Sequence, residues 1–137
     1  MYKTIMVPVD LSHADRLEKA LATAADLTRL YSAKLHAVGV VSTAPGPVAH
    51  DPAEYTRKLE AFCTEQSDRH GVAFEAVSVT SHDPAVDLDD RLKSAAEELG
   101  ADLVVMASHV PTFRDHFFSS NAGYLATHVN ISVFIVR

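Results

Sequence analysis

The sequence predicts an α/β fold: an open, doubly wound, five-stranded parallel sheet in the order 3-2-1-4-5, with helices on both faces. Three observations lead there. Apolar runs alternate with helical stripes along the whole chain, the pattern of a parallel sheet wrapped on both sides. The first run, Ile5-Met-Val-Pro-Val9, is continuous rather than alternating, as in a strand covered on both faces. Gly71 and Gly100 each close a helical stripe in the usual stop position.

The elements follow in order. Strand one covers 5–9. Asp10-Leu-Ser12 then offers cap residues, and Leu17, Leu21, Ala24, Leu27 and Tyr31 recur at helical spacing. Strand two covers 35–41. Residues 42–52 carry three prolines and a glycine and form a loop. A second helix spans about 53–70, with Tyr55, Leu59, Phe62 and Cys63 on its apolar face. The alternation over 72–79 suits a strand nearer the sheet edge. Ser81-His-Asp-Pro84 starts a third helix with proline in its first turn. Leu88, Leu92, Ala95, Ala96 and Leu99 are its stripe. Strand four covers 103–107, a short helix runs from 119 to about 129, and the last strand covers 131–136. Right-handed crossovers then place strands 1 and 4 side by side at the point where the order reverses. Ligands of such sheets bind beyond the carboxyl ends of those strands, here Pro8-Val9-Asp10 and Met106-Ala107-Ser108-His109.

At 137 residues the chain is read as one domain, residues 1–137. A share of 47% hydrophobic and 22% charged residues is ordinary for a soluble globular protein. No apolar stretch approaches the length of a membrane span. Met1-Tyr-Lys-Thr-Ile-Met-Val has no signal-peptide layout, so a cytoplasmic protein away from the membrane is expected. A net charge of −6 argues against non-specific nucleic-acid binding, which needs a basic face. The single cysteine, Cys63, forms no internal disulfide, and core packing is its expected role.

Several residues could carry chemistry. Asp10 can accept bonds from an adenine amino group or a ribose hydroxyl, or reach a bound metal; alternatively Asp10 or Ser12 caps the first helix, and the two roles are compatible. Ser119-Ser120-Asn121 opens a helix whose free N–H groups can hold an anion, or it is a bare cap. Arg114 and His116 could add charge near phosphates or form a solvated loop. The eight histidines are scattered without a metal-ligand spacing, so no metal site is expected. Asp89-Asp90 beside Arg91 reads as a solvated face.

Over essentially its whole length the chain resembles the universal stress protein family (UspA-like), with features of its F/G-type bacterial branch. The resemblance rests on Ile5-Met-Val-Pro-Val-Asp-Leu-Ser12, on Ala101-Asp-Leu-Val-Val-Met-Ala-Ser-His109, and on His128-Val-Asn-Ile-Ser-Val-Phe-Ile-Val-Arg137. It implies a Rossmann-like fold of the adenine nucleotide alpha hydrolase-like type. It also implies adenosine contacts at Pro8, Val9, Asp10 and Val40. The ribose and phosphates would meet Met106, Ala107, His109, Val110, Ser119, Ser120 and Asn121. ATP or AMP, with Mg, is the implied cofactor. The last strand, Val133, Phe134, Ile135 and Val136, is implied as the interface of a homodimer; the alternative is a monomer whose edge is shielded by Arg137 and the adjoining loop.

The phosphate loop departs from the family pattern. Nucleotide-binding members carry G-x-x-G, a spacer, then G-S or G-T. Here Ala107-Ser-His-Val110 and Ser119-Ser120 replace all three glycines, and the spacer is one residue shorter. Pro111 removes one N–H donor and biases Val110 toward an extended backbone. If position 119 needs a left-handed conformation, serine there costs roughly 1–2 kcal/mol, about a five- to thirtyfold loss of affinity. The expected function is therefore a dimeric, adenine-nucleotide-responsive module of the stress response with weak or selective binding. It is at most a slow ATPase or self-phosphorylating protein, since no general base or arginine finger is evident. The alternative is a nucleotide-free dimeric scaffold for an unknown protein partner; a hydrolase dependent on Asp10 and His109 is a third reading.

Overall fold

The computed structural model describes residues 1–108 and 119–137; the side chains of residues 85 and 119–122 are outside that description. The elements are β1 (Thr4–Val9), α1 (Glu18–Tyr31), β2 (Lys34–Ser42), α2 (Pro52–His70), β3 (Phe74–Ser81), α3 (Pro84–Leu99), β4 (Leu103–Ala107), α4 (Ser119–His128) and β5 (Ser132–Val136). The strands form one parallel sheet in the order β3-β2-β1-β4-β5. This is the doubly wound order that the sequence predicts.

Strand side chains alternate between faces, so the sheet is sandwiched between two cores. On one face Ile5, Val7, Leu35 and Ala37 pack with Leu17, Leu21, Ala24, Tyr55, Leu59 and Cys63 from the α1 and α2 side. On the other, Met6, Val38, Val104 and Met106 pack with Leu92, Ala95, Ala96 and Leu125 of α3 and α4. Among the described residues both edges are single-sided: β3 pairs only with β2, and β5 only with β4.

Two boundaries differ from the sequence expectation. The first helix does not start from Asp10-Leu-Ser12. A 3₁₀ turn over Leu11–Arg16 intervenes, and α1 begins at Glu18 after Leu17, which makes no side-chain cap. The Asp10 carboxylate takes the Ser12 amide, and that local bond favours a turn over a continuous helix. The third strand lies two residues later than expected. Gly71 ends α2 with φ at 70°, and Phe74 begins the strand with its N–H donated to Ser67 Oγ at 2.9 Å. Pairing with β2 then runs from Leu35 and Phe74 to Ser42 and Ser81.

The second helix is capped at its start. Asp51 Oδ1 accepts from the Glu54 N–H at 2.7 Å, and Glu54 Oε2 accepts from the His50 N–H at 2.9 Å. That backbone bond holds the Glu54 carboxyl below its ordinary value of 4.5, with Lys58 adding to the effect. Among the described residues no helix is long and apolar enough to cross a membrane.

Candidate functional site

The site begins with a missing hydrogen. Asp102 N–H donates to the Thr4 carbonyl at 3.0 Å, which places the peptide groups of Thr4, Met6 and Pro8 on the β4 side of β1. Proline has no N–H to give. The β1–β4 register accordingly covers only Ile5 with Leu103 and Met6 with Val104, whereas β1 and β2 stay paired through Val9 and Gly39. At the amino end the junction is clasped. The Asp102 carboxylate accepts the Lys3 N–H at 2.9 Å and the Thr4 N–H at 3.1 Å. The sheet is therefore closed below and open above, at its reversal point.

A shallow cleft, open to solvent, lies at the carboxyl ends of β1 and β2 against α3. Its lining is Pro8, Val9 and Asp10 of the β1 tip, Val38 and Val40 of β2, and Leu88 and Leu92 of α3. Four sequence-predicted residues, Pro8, Val9, Asp10 and Val40, are thus brought together. Val38, Leu88 and Leu92 were missed by sequence reasoning. Their signal was present: Leu88 and Leu92 head the α3 stripe, and α3 covers this face of β2. The walls are aliphatic, and Asp10 is the one charged residue among the described residues that line it.

Asp10 is held by its neighbours. Its Oδ1 accepts from Ser12 N–H at 3.0 Å and Ser12 Oγ–H at 2.6 Å. Its Oδ2 lies 2.9 Å from His13 Nδ1. Behind the sheet, Tyr55 lies across Gly39. Burial pushes its hydroxyl pKa upward, and the Asp10 charge adds to the rise. The capping role for Asp10 is present, directed at the 3₁₀ turn rather than at α1.

The remaining predicted residues are placed as follows. Met106 is fully buried in the α3–α4 core, and Ala107, half-buried, ends β4 opposite Val136. Ser119, Ser120 and Asn121 open α4. His109, Val110, Pro111, Arg114 and His116 lie outside the described residues. On β5, Val133 packs against the core, Val136 is buried, and Phe134 and Ile135 are 46% and 44% exposed.

Two further groups bear on chemistry. Burial pushes the Cys63 thiol up to about 11, the behaviour of a packing residue rather than a nucleophile. Asp89 departs from the expected solvated face: its Oδ1 is buried with no hydrogen-bond partner among the described residues, and burial, then the Asp90 charge, raises its carboxyl. Asp90 accepts the Tyr124 hydroxyl at 2.8 Å, and Arg91 reaches Asp87 instead. Among the described residues no group of three or more His, Cys, Asp or Glu side chains could hold a metal ion.

The parallel order β3-β2-β1-β4-β5 defines a doubly wound α/β protein, with an open cleft at the carboxyl ends of β1 and β2. The chain belongs to the universal stress protein family, whose family model matches residues 1–137. It is 28% identical over 143 residues to universal stress protein G of Escherichia coli O157:H7, covering all of both chains. Among solved structures it is similar to a universal stress protein from Archaeoglobus fulgidus (TM-score 0.74, 23% identity, all of both chains). It is also similar to the universal stress protein from Archaeoglobus fulgidus in complex with dAMP. That match has a TM-score of 0.70 and 23% identity, and covers 99% of this chain and 98% of the other.

Proposed function

We propose that this chain is a cytoplasmic, dimeric, adenine-nucleotide-responsive module of the stress response, binding AMP or ATP weakly or selectively. The observation that carries the reading is the cleft. It combines aliphatic walls suited to a purine face with one clamped carboxylate suited to a nucleoside donor. Family membership and the dAMP complex of a similarly folded protein support it. In this reading Pro8, Val9, Val38, Val40, Leu88 and Leu92 hold the base, and Asp10 accepts from the nucleoside. Ala107, His109, Val110, Ser119, Ser120 and Asn121 serve the ribose and phosphates, with Mg accompanying ATP. Binding is weakened because Pro111 offers no N–H and the loop glycines are replaced. Turnover of ATP is at most slow.

Calorimetry with AMP, ADP and ATP, with and without magnesium, tests the proposal. Saturable heat in the micromolar to millimolar range is expected, with a rise in melting temperature. Absence of both at millimolar nucleotide overturns it and leaves the nucleotide-free dimeric scaffold as the function.

A further inference from the structure

Ser12, His13 and Asp10 form a side-chain cluster at the cleft rim. It is not a hydrolytic relay. Such a relay needs serine on one ring nitrogen and the carboxylate on the other. Here Ser12 Oγ at 3.1 Å and Asp10 Oδ2 at 2.9 Å share the single atom His13 Nδ1.

That sharing assigns the protons. The Ser12 hydroxyl donates to Asp10 Oδ1 at 2.6 Å, so Ser12 Oγ turns a lone pair toward the ring. Nδ1 then faces two acceptors and carries a hydrogen, in the neutral Nδ1–H tautomer and in the imidazolium alike. The 3₁₀ turn leaves helical geometry at His13, with φ −131° and ψ 35°, where the imidazole folds back over Asp10.

An ionised carboxylate offers about four acceptor positions. Ser12 takes two on Oδ1 and His13 takes one on Oδ2, leaving one position on a side chain that is 15% exposed. We propose that His13 is a positioning residue for ligand recognition. It locks Asp10 in one rotamer so that a single remaining lone pair meets one N–H or O–H donor of a nucleoside. The inference rests on the nucleotide reading above and adds to it a residue that does not line the cleft. A carboxylate fixed in advance loses no rotamer freedom when the ligand arrives, which is where the affinity comes from.

The test compares AMP binding by calorimetry in the wild type, His13→Ala and His13→Asn, with long-range ¹H–¹⁵N spectra of the wild-type imidazole. His13→Ala weakens AMP binding by about three- to tenfold. His13→Asn restores it to within about twofold, since its carboxamide N–H donates from nearly the same place. The spectra show a protonated Nδ1. Wild-type protein that binds AMP while His13→Ala binds equally well overturns this inference alone. So does an asparagine variant as weak as the alanine one. Should His13→Ala lose cooperative melting, the spectra decide, and a bare Nδ1 beside a protonated Nε2 overturns the clamp. Wild-type protein that gives no binding heat overturns the nucleotide reading, and this inference with it.

Discussion

Gly39 makes the packing of this fold testable at one atom. It lies in β2, in register with Val9 on one side and Ser78 on the other. A Cβ at this position would sit 2.3 Å from Tyr55 Oη and 3.0 Å from two of its ring carbons. Tyr55 is 5% exposed under α2, so the ring has no open space to swing into. Overpacking of this kind costs about 1–3 kcal/mol, offset by about 0.4–1 kcal/mol from the stiffer unfolded chain. The difference runs from about zero to about 2.6 kcal/mol, and the 2.3 Å contact puts Gly39→Ala away from its lower end, at about 1–2 kcal/mol. For a chain of 137 residues the unfolding entropy is about 0.29 kcal/mol/K, so Tm falls by about 4–7 °C. The Tyr55 hydroxyl has no hydrogen-bond partner among the described residues, so Tyr55→Phe alone changes stability by less than about 1 kcal/mol. In the double variant the nearest collision is gone, and at least half of the loss returns. Thermal and urea melts of the four proteins close the cycle. A Gly39→Ala protein melting within about 1 °C of wild type refutes the reasoning. Failure of Tyr55→Phe to recover any stability in that background refutes it equally.

Asp89→Asn should raise Tm at pH 7. Its carboxyl is raised above the ordinary 3.8, so its contribution to stability is present below that value and lost as pH rises through the folded one. The gain should vanish near pH 3, and equal gains at pH 3 and pH 7 would contradict the burial cause. Ser32 ends α1 with φ at 51°, a left-handed conformation that glycine adopts without penalty. Ser32→Gly should therefore stabilise by about 0.5–1 kcal/mol, read as a Tm rise of about 2–4 °C; no rise speaks against strain at that turn. Cys63, with its thiol at about 11, should react with a disulfide reagent at pH 8 about a hundredfold more slowly than in denaturant. If the proposed β5 dimer forms, replacing Phe134 and Ile135 with lysine should shift it from dimer to monomer mass in sedimentation. A dimer that survives both changes excludes the β5 interface.

Much of the fold was legible because period and punctuation agreed. The continuous run at 5–9 pointed to an inner strand and 103–107 to a fourth strand, and Gly71 and Gly100 ended their helices as left-handed stops. The boundary errors arose where side chains compete for backbone groups. Asp10 captures Ser12, and Ser67 captures Phe74, and neither bond leaves a trace in hydrophobic periodicity. The cleft was half legible. The β1 tip and Val40 followed from topology and resemblance, whereas Leu88 and Leu92 looked like ordinary core positions. One stripe serves both purposes, since its amino-terminal turns line the opening and its later turns, at Ala95 and Ala96, fill the core. Asp89 was misjudged because an acidic pair on a helix does not reveal which member faces a neighbouring helix.

Pro8 has a mechanical consequence. The two halves of the sheet meet along a seam stitched at one end by Asp102 and left unsewn at the other. A solute lodged in the cleft would rest on β1, β2 and α3, the elements that line it, and so would brace the sheet on one side of the seam. Occupancy would then register as stiffness of that side, with little change of shape.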